Sequence, residues 1–188
     1  MSADSKLNEY FAQAKTDGEL LPVVDEQDRV VRLATRREIH TEGLLHRAVH
    51  VVLHDGMGRV LLQQRSASKD HLPGWWDVSV GGHVGPGEDY DEAAVREIEE
   101  EMGIVGAEPL WIARQEPSEL TGWEFIHVFM FQAAGVVRPD PDEISNIAWV
   151  TGGEYHERMA SDDNEWRMSP AGDRSIRLFF ETGLGFFP

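Results

Sequence analysis

The sequence predicts an α/β domain, a mixed β-sheet flanked by helices, on three observations. Short β-rich runs recur along the chain, helical patterns are inserted between them, and 41% hydrophobic content with six Trp and eight Phe supplies core material for 188 residues. In chain order, "LNEYFAQAK" reads as a short helix, and "LLPVVDEQDRVVRLATR" as two short strands around a polar turn at Asp25–Asp28. "HRAVHVVLHDGMGRVLLQQR" is a stronger hairpin, with β-rich runs flanking "DGMG". "SKDHLPGWW" is a loop leading to a short strand at "WDVSV", and Glu88 to Met102 is a helix. "EPLWIAR" and "EFIHVFMFQAAGVV" read as strands and "RPDPDE" as a Pro-interrupted loop. "ISNIAWV" is a further strand, "GGEYHERMA" a short helix, and "SPAGDRSIRLFFETG" the last helix, with Pro170 near its start and Gly183 just past its end.

Charge narrows the function classes. The net charge of −17 repels phosphodiester backbones and anionic lipid, which argues against non-specific nucleic-acid or membrane binding. It also repels a small phosphorylated substrate unless a bound cation reverses the sign locally. The absence of cysteine removes disulfides, thiolate metal sites and thiol nucleophiles together. Residues 1–20 lack the basic start and apolar core of a secretory signal. No apolar run approaches the ~18 residues that suggest a membrane span. A cytoplasmic protein is expected.

The most unusual stretch is "GGHVGPGEDYDEAAVREIEEEMGI", residues 81–104. From Glu88 to Glu101 it holds eight acidic residues and one basic one, Arg96. Like charges three or four positions apart destabilise an isolated helix. At about 100° per residue, Glu97, Glu100 and Glu101 share one face, while Ala94, Val95, Ile98 and Met102 form an apolar one. Arg96 stands four residues from both Glu92 and Glu100, placed to pair with either. Converging carboxylates suit a hard divalent cation such as Mg²⁺, Mn²⁺ or Ca²⁺; the plainer reading is a solvated acidic face. The preceding glycines allow close approach of the backbone to a ligand.

Position-specific spacing shifts the balance between them. The stretch resembles the Nudix box, G-x5-E-x7-R-E-U-x-E-E-x-G-U with U aliphatic. Gly82, Glu88, Arg96, Glu97, Ile98, Glu100, Glu101, Gly103 and Ile104 fill every specified place. The resemblance implies a Nudix α/β/α sandwich that hydrolyses a diphosphate linkage in a nucleoside diphosphate derivative or related small molecule. It implies Glu97, Glu100 and Glu101 as ligands of Mg²⁺ or Mn²⁺, with the Gly81 carbonyl as a further ligand. Arg96 would orient the glutamates and Glu88 would tie the loop to the helix. The general base comes either from the box or from beyond it, where Glu119, Glu124 and Glu143 are the candidates. The expected division is residues 1–44 as an N-terminal extension whose hairpin packs on the core, and residues 45–188 as the Nudix domain with its C-terminal helix.

The surroundings of the box are similar to the type I isopentenyl diphosphate isomerases. That resemblance implies Arg65 and Lys69 as diphosphate-binding cations, and His46, His83 and approximately Glu124 as a second metal site. His40 lies near a further metal histidine of that family, one residue short in spacing. The isomerases require a catalytic cysteine where this chain has Gly81, so isomerisation is disfavoured. A non-catalytic nucleotide-binding module is the third reading; the complete carboxylate set argues against it. His50 and His54 read as partly buried polar side chains of a strand. Trp76 matches the family's core Trp, leaving Trp75 free to line a substrate pocket. Phe179, Phe180, Phe186 and Phe187 form an apolar C-terminus that either packs on the domain or makes a homodimer interface.

Overall fold

The computed structural model describes residues 18–69, 71–161 and 166–182. The expected helix at "LNEYFAQAK" and the positions Gly183, Phe186 and Phe187 lie outside these. The chain opens with an antiparallel hairpin, β1 (Leu20–Val24) and β2 (Val30–Thr35), around the expected polar turn. A helix that the β-rich composition concealed follows at once, α1 (Arg36–Glu42). Its start was legible, because Thr35 stands three residues before Glu38 and its side chain accepts from the Glu38 N–H. Gly43, left-handed at φ 63°, ends it. Leu21, Val23, Ala34 and Ile39 bury a small core beneath hairpin and helix.

The main sheet has seven strands. β3 (His46–His54) is its axis, pairing parallel with β8 (Glu124–Gln132) and antiparallel with β6 (Val80–His83). β7 (Leu110–Gln115) lies beyond β8 at one edge. β4 (Arg59–Arg65) carries β9 (Ile144–Thr151) and the short β5 (Trp76–Asp77). The hairpin around "DGMG" is present, but β3 and β4 share only the pair His54–Val60 before diverging. The expected strand "WDVSV" splits where they part. Its Ser79 hydroxyl accepts from the Leu53 N–H at 2.8 Å and donates to the Leu61 carbonyl, satisfying backbone groups of both strands in a fully buried position.

Helices cover both faces. On one, α2 (Tyr90–Met102) packs Ala94, Ile98 and Met102 against Val49, Val51 and Leu53 of β3. On the other, α4 (Pro170–Glu181) packs Ile176 and Phe179 against Ala48 and Val52, with Tyr155 of α3 (Gly152–Ala160) beside them. The alternation along β3 thus sorts its side chains between two cores. Trp76 stacks on Trp166 at 4.0 Å as a core anchor, and Phe179 and Phe180 pack onto the domain. The glycine-rich segment is less of a loop than expected, since Gly81 and Gly82 are paired in β6.

Candidate functional site

Helix α2 begins two residues later than the expected Glu88, because Asp89 is its N-cap. Asp89 accepts from the Glu92 N–H while Glu92 accepts in return from the Asp89 N–H. Glu92 is therefore occupied by the cap, and of the two expected partners Arg96 takes Glu100. Glu88 sits just ahead of the cap, accepting from the Gly85 N–H at 2.7 Å and from Arg96 Nε and Nη2 at 2.8 and 2.9 Å. Burial pushes the Glu88 carboxyl up, but these bonds outweigh it and hold it below its ordinary value. The rest of the Arg96 fork reaches Glu97 at 2.7 Å, Glu100 at 2.9 Å and the His83 carbonyl at 2.9 Å. One planar guanidinium thus fixes three carboxylates and the end of β6.

The three box glutamates are not equivalent. Glu100 is 59% exposed, whereas Glu97 and Glu101 point inward against β6. Gly82 makes room for Glu97: a Cβ there would stand 2.5 Å from Glu97 Oε2 and nearer still to the rest of the carboxyl. Glu101 Oε2 meets the Gly81 N–H at 3.3 Å and Gln63 Nε2 at 3.1 Å. Burial, reinforced by the neighbouring Glu97 charge, pushes the Glu101 carboxyl up to about 8. Burial raises Glu97 as well, opposed by Arg96. Two inward carboxylates with so little compensating charge are a natural seat for a divalent cation.

The diphosphate cations of the sequence reading come to the same end of the sheet. Lys69 is ion-paired with Glu143, and Glu101 and Glu97 both act on its charge, although burial lowers its basicity. Arg65 donates from Nε to the His71 carbonyl at 3.0 Å and holds Nη1 3.6 Å from Asp77. Its backbone N–H bonds the carbonyl of the half-buried Trp75. Arg36 of α1, missed in the sequence, is close enough to depress Lys69 further. Of the base candidates, Glu143 is this Lys69 partner, and Glu119 is exposed on a 3₁₀ turn without a side-chain bond to the box. Glu124 lies elsewhere, among histidines.

Those histidines form a second cluster. Ligand-type atoms of His40, His46 and His83 all lie within 4.8 Å of one another. Glu124 Oε1 stands 3.2 Å from His46 Nε2 and 3.4 Å from His83 Nε2. His40 joins despite its short spacing, because α1 ends at Gly43 and turns its last-turn histidine toward the start of β3. His46 Nδ1 donates to the Leu44 carbonyl at 2.9 Å, which leaves an Nε2 lone pair. That nitrogen is sealed from solvent and makes no hydrogen bond, although a carboxylate oxygen faces it. A cation between them would relieve the opposition. Partial desolvation at the cluster lowers His40 to about 4, and a neutral imidazole is the form that ligates metal.

The NUDIX domain model matches residues 44–170. The chain belongs to the Nudix family. It is 37% identical over 158 residues to an uncharacterized Nudix hydrolase of Streptomyces coelicolor, covering 82% of this chain and 84% of that one. It is also 39% identical over 158 residues to an isopentenyl-diphosphate Delta-isomerase of Streptomyces avermitilis, covering 80% of each. Among solved structures, DR0079 of Deinococcus radiodurans superposes with a TM-score of 0.72 at 29% identity, covering 86% of this chain and 99% of that one. The protein is thus a Nudix pyrophosphohydrolase with isomerase-like relatives, and Nudix hydrolases generally use divalent metals. Among the described residues, no helix is long and apolar enough to cross a membrane.

Proposed function

We propose that this Nudix protein hydrolyses a diphosphate linkage in a nucleoside diphosphate derivative or related small molecule, using Mg²⁺ or Mn²⁺ held by Glu97, Glu100, Glu101 and the Gly81 carbonyl. The observation that carries this reading is the inward pair Glu97 and Glu101 against β6, Glu101 buried and Glu97 half-buried, with Glu101 raised to about 8. A bound divalent cation supplies neutralisation of diphosphate oxygens and a water of lowered pKa. Arg96 and Glu88 keep the carboxylates in place, and Arg65, Lys69 and Arg36 offset the protein's negative field where an anionic substrate must enter. Trp75, whose carbonyl accepts from the Arg65 N–H, would flank the bound moiety. His40, His46, His83 and Glu124 complete the proposal as a second cation site, supported by the unpartnered His46 Nε2. The test is the double variant E100Q/E101Q, assayed with Mg²⁺ and Mn²⁺ over nucleoside triphosphates, nucleotide sugars, dinucleoside polyphosphates, coenzyme A and prenyl diphosphates. Turnover should vanish while the thermal transition survives; undiminished activity would sink the assignment.

The histidine cluster and the Streptomyces avermitilis relative also favour a second reading, isomerisation of isopentenyl diphosphate. Against it, Gly81 offers no thiol, and the space its Cβ would take is 3.2 Å from the ring of His50. Incubation with isopentenyl diphosphate and Mg²⁺ should yield no dimethylallyl diphosphate.

A further inference from the structure

His50 is absent from the chemistry above, yet its ring is held from two sides. It pairs across β3–β6 with Gly81, and the missing Gly81 side chain lets the ring lie over that backbone. On its other side, His50 Nδ1 is 2.8 Å from Ser175 Oγ, which is fully buried on α4. Gln115 Nε2 bonds the same hydroxyl at 2.7 Å and the Ala171 carbonyl at 3.0 Å. A carbonyl can only accept, so the atom facing it is the amide nitrogen, and that nitrogen also donates to Ser175. The Ser175 proton then has one partner left among the described residues, His50 Nδ1. A buried hydroxyl that accepted twice and donated nowhere would forfeit a hydrogen bond. The relay from Gln115 through Ser175 therefore sets the neutral imidazole with its proton on Nε2.

That Nε2–H meets no partner among the described residues. Nor is it one of the sealed, unsatisfied ring nitrogens, which are His46 Nε2 and His54 Nδ1. The charges acting on the ring come from Asp77 and Arg65 on one flank and Glu124 on the other. A diphosphate held between Glu101, the Gly81 backbone and Arg65 would carry its attached moiety past this donor. We infer that His50 is a specificity residue: its Nε2–H donates to a hydroxyl or carbonyl oxygen on the moiety beyond the diphosphate, selecting sugar- or nucleoside-like groups over hydrocarbon ones.

The inference rests on the proposed use of a diphosphate substrate, and binding separates the two. With Mg²⁺ present, dissociation constants are measured for an α,β-methylene analogue of ADP-ribose and for the methylene analogue of isopentenyl diphosphate. Wild type should favour the first. H50F should weaken it at least about tenfold while leaving the hydrocarbon analogue within about threefold, since a site built to hydrogen-bond a polar group penalises loss of that bond. H50Q, which keeps a donor near Nε2, should recover part of the loss. Ring ¹⁵N shifts of the wild type, with His50 assigned through H50Q, should report the Nε2–H tautomer. Equal weakening of both analogues by H50F, unchanged binding of the polar one, no binding of it by wild type, or an Nδ1–H tautomer would each overturn the proposal. Selective binding without turnover of any hydrolysable counterpart would instead overturn the hydrolase reading and leave this one standing.

Discussion

Gly82→Ala isolates the placement of Glu97 from everything else in the site. Gly82 has no positive φ among the backbone angles, so an alanine meets no conformational penalty there. The added Cβ would fall 2.5 Å from Glu97 Oε2 and nearer to its other carboxyl atoms. Ordinary contact between such atoms begins near about 3.5 Å, so the carboxyl must retreat by about 1 Å or more. It sits at the end of a flexible side chain on an exposed-to-buried boundary, so the fold absorbs the move. The cost is confined to the Arg96–Glu97 contact, about 1 kcal/mol or less, or about 2–4 °C in melting temperature for a domain of this size. Catalysis cannot absorb it, because a misplacement of about 1 Å costs on the order of 100-fold in rate. The assay is kcat for the best substrate of the panel at saturating Mg²⁺, with a calorimetric melt of the same preparation. A kcat within about threefold of wild type would refute the reasoning, because Glu97 would then have no required position. A melting temperature lowered by more than about 10 °C would also refute it, by showing that the site cannot relax locally.

Further expectations concern protons, cations and stability. With Glu101 raised to about 8, metal binding should release about 0.9 proton at pH 7 and about 0.1 at pH 9, measured by titration calorimetry in buffers of different ionisation enthalpy; release independent of pH would contradict that assignment. The same shift makes the metal-free folded state bind more protons than the unfolded one between the ordinary glutamate value of 4.5 and about 8. Its stability should therefore fall as pH rises through that window, and saturating metal should reverse the trend. Arg96→Lys should cost about 1–2 kcal/mol, discounted because the guanidinium is partly exposed, and should abolish most turnover, since one ammonium cannot replace the fork that joins Glu88, Glu97, Glu100 and His83. His46→Asn should weaken Zn²⁺ or Mn²⁺ binding to the histidine cluster by at least about tenfold, read by competition with a chromogenic chelator, without loss of the thermal transition.

The box was legible because its chemistry is local: one helix, the strand before it and the short loop between them carry Glu88, Arg96, Glu97, Glu100, Glu101 and both glycines. The order of strands and helices was legible for a similar reason, since alternation and caps are short-range signals. What escaped the sequence was long-range or masked. Helix α1 hid behind a β-rich run although Thr35 and Glu38 marked its start. Arg36 could be joined to Lys69 only once that helix was in place. Ser79, a lone serine within an apolar run, has meaning only because β3 and β4 part company at its hydroxyl. His50 read as a polar strand residue, and its environment is set by Gln115 and Ser175, 65 and 125 positions away.

The His50 contact adjoins β6, whose pleat explains the sequence "GGH" better than backbone freedom does. Successive residues of a strand face opposite sides. Gly82 faces α2, where a side chain would displace Glu97; Gly81 faces α4, where one would press on His50. His83, on the same face as Gly81, turns its ring into the cluster with His40 and His46, while its carbonyl is held by Arg96 from the opposite side. Each of the three residues is thus dictated by a different neighbour, and only Gly82 and the box beyond it belong to the diphosphate motif. A chain that kept the box but changed Gly81 or His83 would keep the carboxylates and alter what surrounds the substrate. If His50 selects the attached moiety as inferred, the box specifies the bond to be broken and the α4 face of the same strand specifies the choice of substrate.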